Sequence, residues 1–153
     1  MKAHPEARRG KTLMIVEDEV LVAMTLRDEL EAAGYRVLDL TDRHNEALES
    51  AREHRPDLAL VNIRLAGRDD GIALAESLKE LNIPVLLISG QVSRARSAQT
   101  VAIGSMPKPY SPEEMVKAVA YLLARLEGDE TLACPTGLEV FDLPGQGGVA
   151  PAA

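Results

Sequence analysis

Leu58-Ala59-Leu60-Val61-Asn62-Ile63-Arg64-Leu65 is the stretch that decides the fold. Its apolar residues run without alternation into Asn62, the pattern of a strand buried on both faces with a polar tip. Upstream, Met14-Ile15-Val16 runs in the same way into Glu17-Asp18-Glu19. Downstream, Leu87-Ile88 runs into Ser89-Gly90, and a very short strand over 103–106 ends just before Pro107-Lys108-Pro109.

The segments between these strands read as helices. Residues 20–33 place Val22, Met24, Leu26, Leu30 and Ala33 on one stripe, and Gly34 follows where a left-handed cap is needed. Residues 35–40 alternate weakly and predict a strand. Residues 45–54 predict a helix with Asn45 as N-cap and Pro56 closing the segment. Asp69 and Asp70 read as loop and cap residues, with a helix from 72 to about 81. A strand over 84–89 and a polar helix over 93–101 follow. Ser111-Pro112-Glu113-Glu114 combines a Ser cap, a Pro in the first turn and a Glu three residues after the cap, which starts a helix running to about 126. Strand and helix thus alternate five times. The expected fold is α/β: a doubly wound, five-stranded parallel sheet flanked by five helices. Such folds bind ligands at the carboxyl ends of the strands, where Glu17, Asp18, Asn62, Ser89 and Lys108 all fall.

Composition narrows the function classes. The chain has 153 residues, 46% hydrophobic, and a net charge of −7. That is enough for one domain with a real core, and the acidic balance argues against nucleic-acid binding. With no Trp and one Phe, a base-stacking platform is not expected either. Cys134 is the only cysteine, which excludes an intramolecular disulfide. His4, His44 and His54 lack ligand spacing. No apolar run approaches the length of a membrane span, and the polar leader over 1–11 does not read as a signal peptide, so the expected location is the cytoplasm. Residues 128–153 form a Gly/Pro-rich tail whose apolar cluster, Leu138, Val140, Phe141 and Leu143, is expected to pack on the domain or on a dimer partner.

Residues 12–127 resemble the receiver domain of two-component response regulators, the CheY-like fold. The resemblance rests on Glu17-Asp18, Asn62, Ser89 and Lys108-Pro109, in that order. It implies that Glu17 and Asp18, with the backbone carbonyl of Arg64 and, more weakly, the amide oxygen of Asn62, hold Mg²⁺. It places Asn62 at the phosphoacceptor position, 44 residues after Asp18 (62 − 18). Ser89 and Lys108 would contact the phosphoryl group, and the Lys108–Pro109 bond would be cis. Taken alone, Glu17 and Asp18 also fit an acidic pair favoured by a helix N-terminus.

Asn62 departs from the family pattern. A carboxylate nucleophile attacks phosphorus, and an amide has no anionic oxygen to do so. Mg²⁺ binding should be weakened, because the site loses one negative charge. Two further departures bear on switching. Ser89 to Lys108 spans 19 positions (108 − 89), a few shorter than is usual in receivers. The aromatic commonly found three residues before the lysine is replaced by Ser105, while Tyr110 lies on the other side of Lys108. The last helix is apolar on more than one face, and the resemblance implies a homodimer through Met115, Val119 and Leu123, extended by the tail.

The expected function is that of a non-enzymatic, stand-alone receiver, signalling by contact with a sensor histidine kinase or a downstream protein. The alternative is a phosphoablative, Asp-to-Asn form of an otherwise phosphorylatable receiver. A flavin- or nucleotide-binding protein is disfavoured, since Glu17-Asp18-Glu19 stands where a glycine-rich phosphate loop would be needed.

Overall fold

A computed structural model of the chain describes residues 10–65, 70–141 and 143. The expectations for residues 1–9, His4 among them, for Asp69 and for the tail beyond 143 lie outside these residues. The elements in chain order are β1 (Thr12–Val16), α1 (Val20–Ala32), β2 (Arg36–Val37), α2 (His44–His54), β3 (Leu58–Asn62), α3 (Gly71–Glu80), β4 (Val85–Ser89), α4 (Val92–Arg96), β5 (Gly104–Pro107), α5 (Pro112–Leu126) and β6 (Glu139–Val140). The strands form one sheet in the order β2-β1-β3-β4-β5-β6. β1 to β5 pair in parallel, and β6 runs antiparallel to β5.

The unbroken apolar runs are explained by burial on both faces. In β1, Leu13 and Ile15 point into a core shared with α1 and α5, while Met14 and Val16 point into one shared with α2, α3 and α4. β3 and β4 divide in the same way: Leu58, Leu60, Leu86 and Ile88 face the first core, and Ala59, Val61, Val85 and Leu87 the second. Helix ends follow local chemistry. The Ser111 side chain accepts from the Glu114 amide while the Glu114 carboxylate accepts from the Ser111 amide, a complete capping box. Asp70 caps α3 by accepting from the Ile72 amide. Gly34 has φ +104°, as a left-handed cap after α1 requires.

Several expectations are corrected. β2 covers only Arg36–Val37 rather than 35–40, because it is an edge strand whose ladder partners are Thr12 and Leu13. α2 is capped at Arg43, not Asn45, and Arg43 makes no side-chain cap bond. α4 stops at Arg96 and continues as turns to residue 101, since this polar stretch has little apolar face to hold a longer helix. The sheet has six strands rather than five, the sixth supplied by the tail.

That tail also corrects the proposed interface. Leu138 and Leu143 enter the same core as Met115, Val119 and Leu123, all of them buried. The several apolar faces of α5 are therefore filled from within one chain: by the sheet, by α1 and by the returning tail. Met115, Val119 and Leu123 present no free surface for a second copy. Two local features let the tail dock. Gly104 has no side chain, and a Cβ there would come within 2.9 Å of the Glu139 carbonyl oxygen. The Arg96 guanidinium meets the Glu139 carboxylate at 3.0 Å. Leu138→Ala is expected to lower the free energy of unfolding by about 2 kcal/mol; urea denaturation would show this as an earlier midpoint.

Candidate functional site

The parallel register brings the strand ends together. Val16 pairs with Val61, Asn62 with Ile88, and Ser89 with Pro107. The Lys108 amide donates to the Ser89 carbonyl at 2.9 Å, which carries the β5–α5 turn past the end of β4. The Lys108–Pro109 bond is cis.

Asn62 is buried at the centre, 4% exposed. Its Nδ2 donates to the Arg64 carbonyl at 2.6 Å, to Asp18 Oδ1 at 3.1 Å and to Glu17 Oε2 at 3.3 Å. Glu17 Oε2 also accepts from the Glu19 amide at 3.1 Å. Glu17 Oε1 is buried with no hydrogen-bond partner among the described residues, and Lys108 Nζ lies 3.9 Å from it. Burial first, and then the neighbouring Asp18, push the Glu17 carboxyl up from 4.5 to about 7. The Glu19 amide and the Lys108 charge pull the other way without offsetting this.

The remaining candidates sit around this cluster. Ser89 is buried, and its hydroxyl is engaged locally, accepting from the Gln91 amide at 2.8 Å and donating to the Gln91 carbonyl at 3.1 Å. Ser105 is buried in β5, in register with Leu87 on one side and Glu139 of the tail strand on the other. Tyr110 is half-buried; burial, with the charges of Glu17 and Glu19, pushes its phenol up to about 12. Glu17, Asp18, Arg64, Asn62 and Lys108 are thus brought together, whereas the hydroxyls of Ser89 and Tyr110 make no bond to them among the described residues.

The arrangement bears directly on metal. Of the oxygens that the resemblance assigns to Mg²⁺, those of Glu17, Asp18 and the Arg64 carbonyl face the amide nitrogen of Asn62 rather than its oxygen, which was expected to join them as a ligand. An N–H donor cannot ligate a cation, so the donor set as arranged does not fit Mg²⁺. No group of three or more His, Cys, Asp or Glu side chains able to hold a metal occurs among the described residues.

Two features were not found from sequence. Gly71 opens α3 hard against the end of β3: its amide donates to the Ile63 carbonyl at 2.7 Å, and a Cβ there would lie 2.8 Å from Ile63 Cα. A glycine directly after a capping Asp was the available signal. The second is an apolar ridge at the start of α1, where Val20 is 66% and Leu21 78% exposed. It borders a cleft of about 420 Å³ lined by Leu21, Val22, Lys108, Pro109, Tyr110 and Pro112, among others.

Because the Glu17 carboxyl is raised in the folded state, its protonated form favours folding. That stability is present below pH 4.5 and is lost as the pH rises through about 7. Glu17→Gln is therefore expected to leave stability nearly unchanged at pH 4.5 and to raise it at pH 8 by on the order of 1–3 kcal/mol, as read by urea unfolding at the two pH values.

Comparison with known proteins agrees with this geometry. The family described as "Response regulator receiver domain" matches residues 13–120. The transcriptional regulatory protein PdtaR of Mycobacterium tuberculosis is 28% identical over 125 residues, 78% of this chain and 60% of that protein. The phosphate regulon transcriptional regulatory protein PhoB of Pseudomonas aeruginosa is 31% identical over 123 residues, 76% of this chain and 53% of that protein. The chain therefore spans little more than half the length of these relatives. The crystal structure of the signal receiver domain of a modulated diguanylate cyclase from Desulfovibrio desulfuricans superposes with a TM-score of 0.68 at 34% identity, over 76% of this chain and 95% of that one. No helix among the described residues is long and apolar enough to cross a membrane. From the matched sequence and the shared parallel fold, the chain belongs to the response regulator receiver domain family.

Proposed function

We propose that this chain is a receiver-type signalling module that takes no phosphoryl group at position 62 and acts through contact with a protein partner. Receiver domains in general work with histidine kinases or downstream effectors and are not themselves enzymes. The Asn62 amide carries the reading. Phosphoryl transfer to a receiver needs a carboxylate oxygen as nucleophile, and the amide has no such oxygen and donates through its nitrogen to three acceptors.

A second reading is favoured by how much of the site persists. Glu17, Asp18 and Lys108 remain clustered around position 62, so an aspartate there would face the residues that the family uses. Under this reading the chain is the phosphoablative form of a receiver that accepts phosphoryl groups from a histidine kinase. Intact mass after incubation with MgCl₂ and acetyl phosphate separates the two. The chain as it stands is expected to gain no phosphoryl mass under either reading. An adduct on Asn62→Asp supports the second reading; none on either protein supports a module committed to protein contact. An acid-labile adduct on the unaltered chain would sink both.

The exposed start of α1 is the surface that suits such contact. Val20, Leu21 and Met24 form an apolar ridge next to the strand-end acids and the Tyr110 cleft, within reach of a partner that approaches those ends, as a sensor histidine kinase does in receivers. Leu21→Asp is expected to weaken binding of the kinase's phosphotransfer domain by roughly tenfold or more, measured by calorimetry. Because Leu21 is exposed, the same substitution should leave the unfolding free energy within about 0.5 kcal/mol.

A further inference from the structure

We propose that the Asn62 carboxamide takes the place of the divalent cation at this site, so that the chain holds its acidic strand ends together without metal. The inference concerns cation binding and does not rest on the phosphoryl reading.

The geometry is that of a cation position filled by a donor. Glu17 comes from the end of β1, Asp18 from the β1–α1 turn and the Arg64 carbonyl from the segment after β3; all of them aim at one atom, Asn62 Nδ2, at 3.3, 3.1 and 2.6 Å. A carboxamide nitrogen carries two hydrogens. The short contact to the Arg64 carbonyl takes one. The other is shared between the carboxylates of Asp18 and Glu17. The partial positive charge of the NH₂ group thus meets the oxygens that would otherwise repel one another.

A cation at this point and the amide nitrogen exclude each other. To admit Mg²⁺, the amide must turn over and present Oδ1. The turn breaks all three hydrogen bonds, and the ligand gained is neutral where an aspartate would supply a charge. Without a cation, the turned amide would set an oxygen against three acceptors, so the observed orientation is the one that the surroundings select. An aspartate at 62 would reverse the balance: three carboxylates would converge with no N–H between them, and a cation would be needed to relieve the repulsion. Lys108 supplies positive charge 3.9 Å from Glu17, on the oxygen that the amide does not reach. The amide and the lysine therefore divide the neutralisation between them.

The test is cation binding by the full chain, first freed of metal with EDTA and with no phosphodonor present. Manganese is titrated into the unaltered protein, Asn62→Asp and Asn62→Ala, and free Mn²⁺ is read from its electron paramagnetic resonance signal. Thermal unfolding is followed in parallel with MgCl₂. The unaltered chain is expected to leave the free Mn²⁺ signal intact and to keep its Tm within about 1 °C on adding Mg²⁺. Asn62→Asp is expected to bind Mn²⁺ on the order of tenfold or more tighter, to melt lower in EDTA and to recover with Mg²⁺. Asn62→Ala removes the competing donor without adding charge and is expected to fall between them, which keeps the test decisive if the aspartate protein folds poorly. Mn²⁺ binding by the unaltered chain as tight as that of either variant would overturn the proposal. So would a failure of both variants to respond to either cation, since the amide would then not be what keeps cations out.

Discussion

The pairing of β1 with β3, from Leu13 against Leu58 to Val16 against Val61, is the contact on which the rest of the molecule depends. It is parallel, so both strands end at the same edge of the sheet. Both are central and almost wholly buried, so neither can slip: a shift of one residue would exchange every side chain between the two cores. This register places Glu17 and Asp18 within hydrogen-bond reach of Asn62, 45 and 44 residues away along the chain. Gly71 completes the constraint from the other side. By starting α3 against the Asn62–Ile63 backbone, it fixes the path that the chain takes after β3.

Once the strand ends are fixed, charge becomes the problem to be solved. Two carboxylates next to a buried centre repel each other and lose solvation. Here an amide donates to both of them, the Glu19 amide adds a bond to Glu17, and Lys108 sits beside the remaining oxygen. The compensation for Glu17 is incomplete, as its carboxyl pushed up to about 7 shows. Receiver domains in general meet the same problem with Mg²⁺. An amide differs from an ion in being covalently attached and permanent.

At the far edge of the sheet the tail does comparable work with apolar surface. β5 would otherwise expose unpaired backbone groups, a hazard for edge-to-edge association. Glu139 and Val140 pair with it, the Phe141 amide donates to the Ile103 carbonyl at 2.8 Å, and Leu138 and Leu143 close the core over α5. Gly104 makes room for this strand. The outer end of the sheet is thus covered by the chain itself.

Much of this was legible in the sequence because its signals are local. Apolar runs ending in polar residues marked β1, β3 and β4, and the Ser111–Glu114 box and the Asp70 cap marked two helix starts; each depends on neighbours only a few residues away. The order of the strand-end residues then pointed to the family. Other features were set by residues distant in sequence. β2 shrank because the chain pairs with β1 only at Arg36 and Val37 before it meets β1 again at Thr41, opposite Val16. α5 looked like an interface because nothing local shows that Leu138 and Leu143 return to cover it. The sequence by itself determined the fold class, the positions of the acids and the amide at 62, since these follow from side-chain identity and short-range periodicity. Only the tertiary structure decided which way the Asn62 amide faces and what covers the last helix, because both depend on which distant atoms the packed sheet brings within a few ångströms.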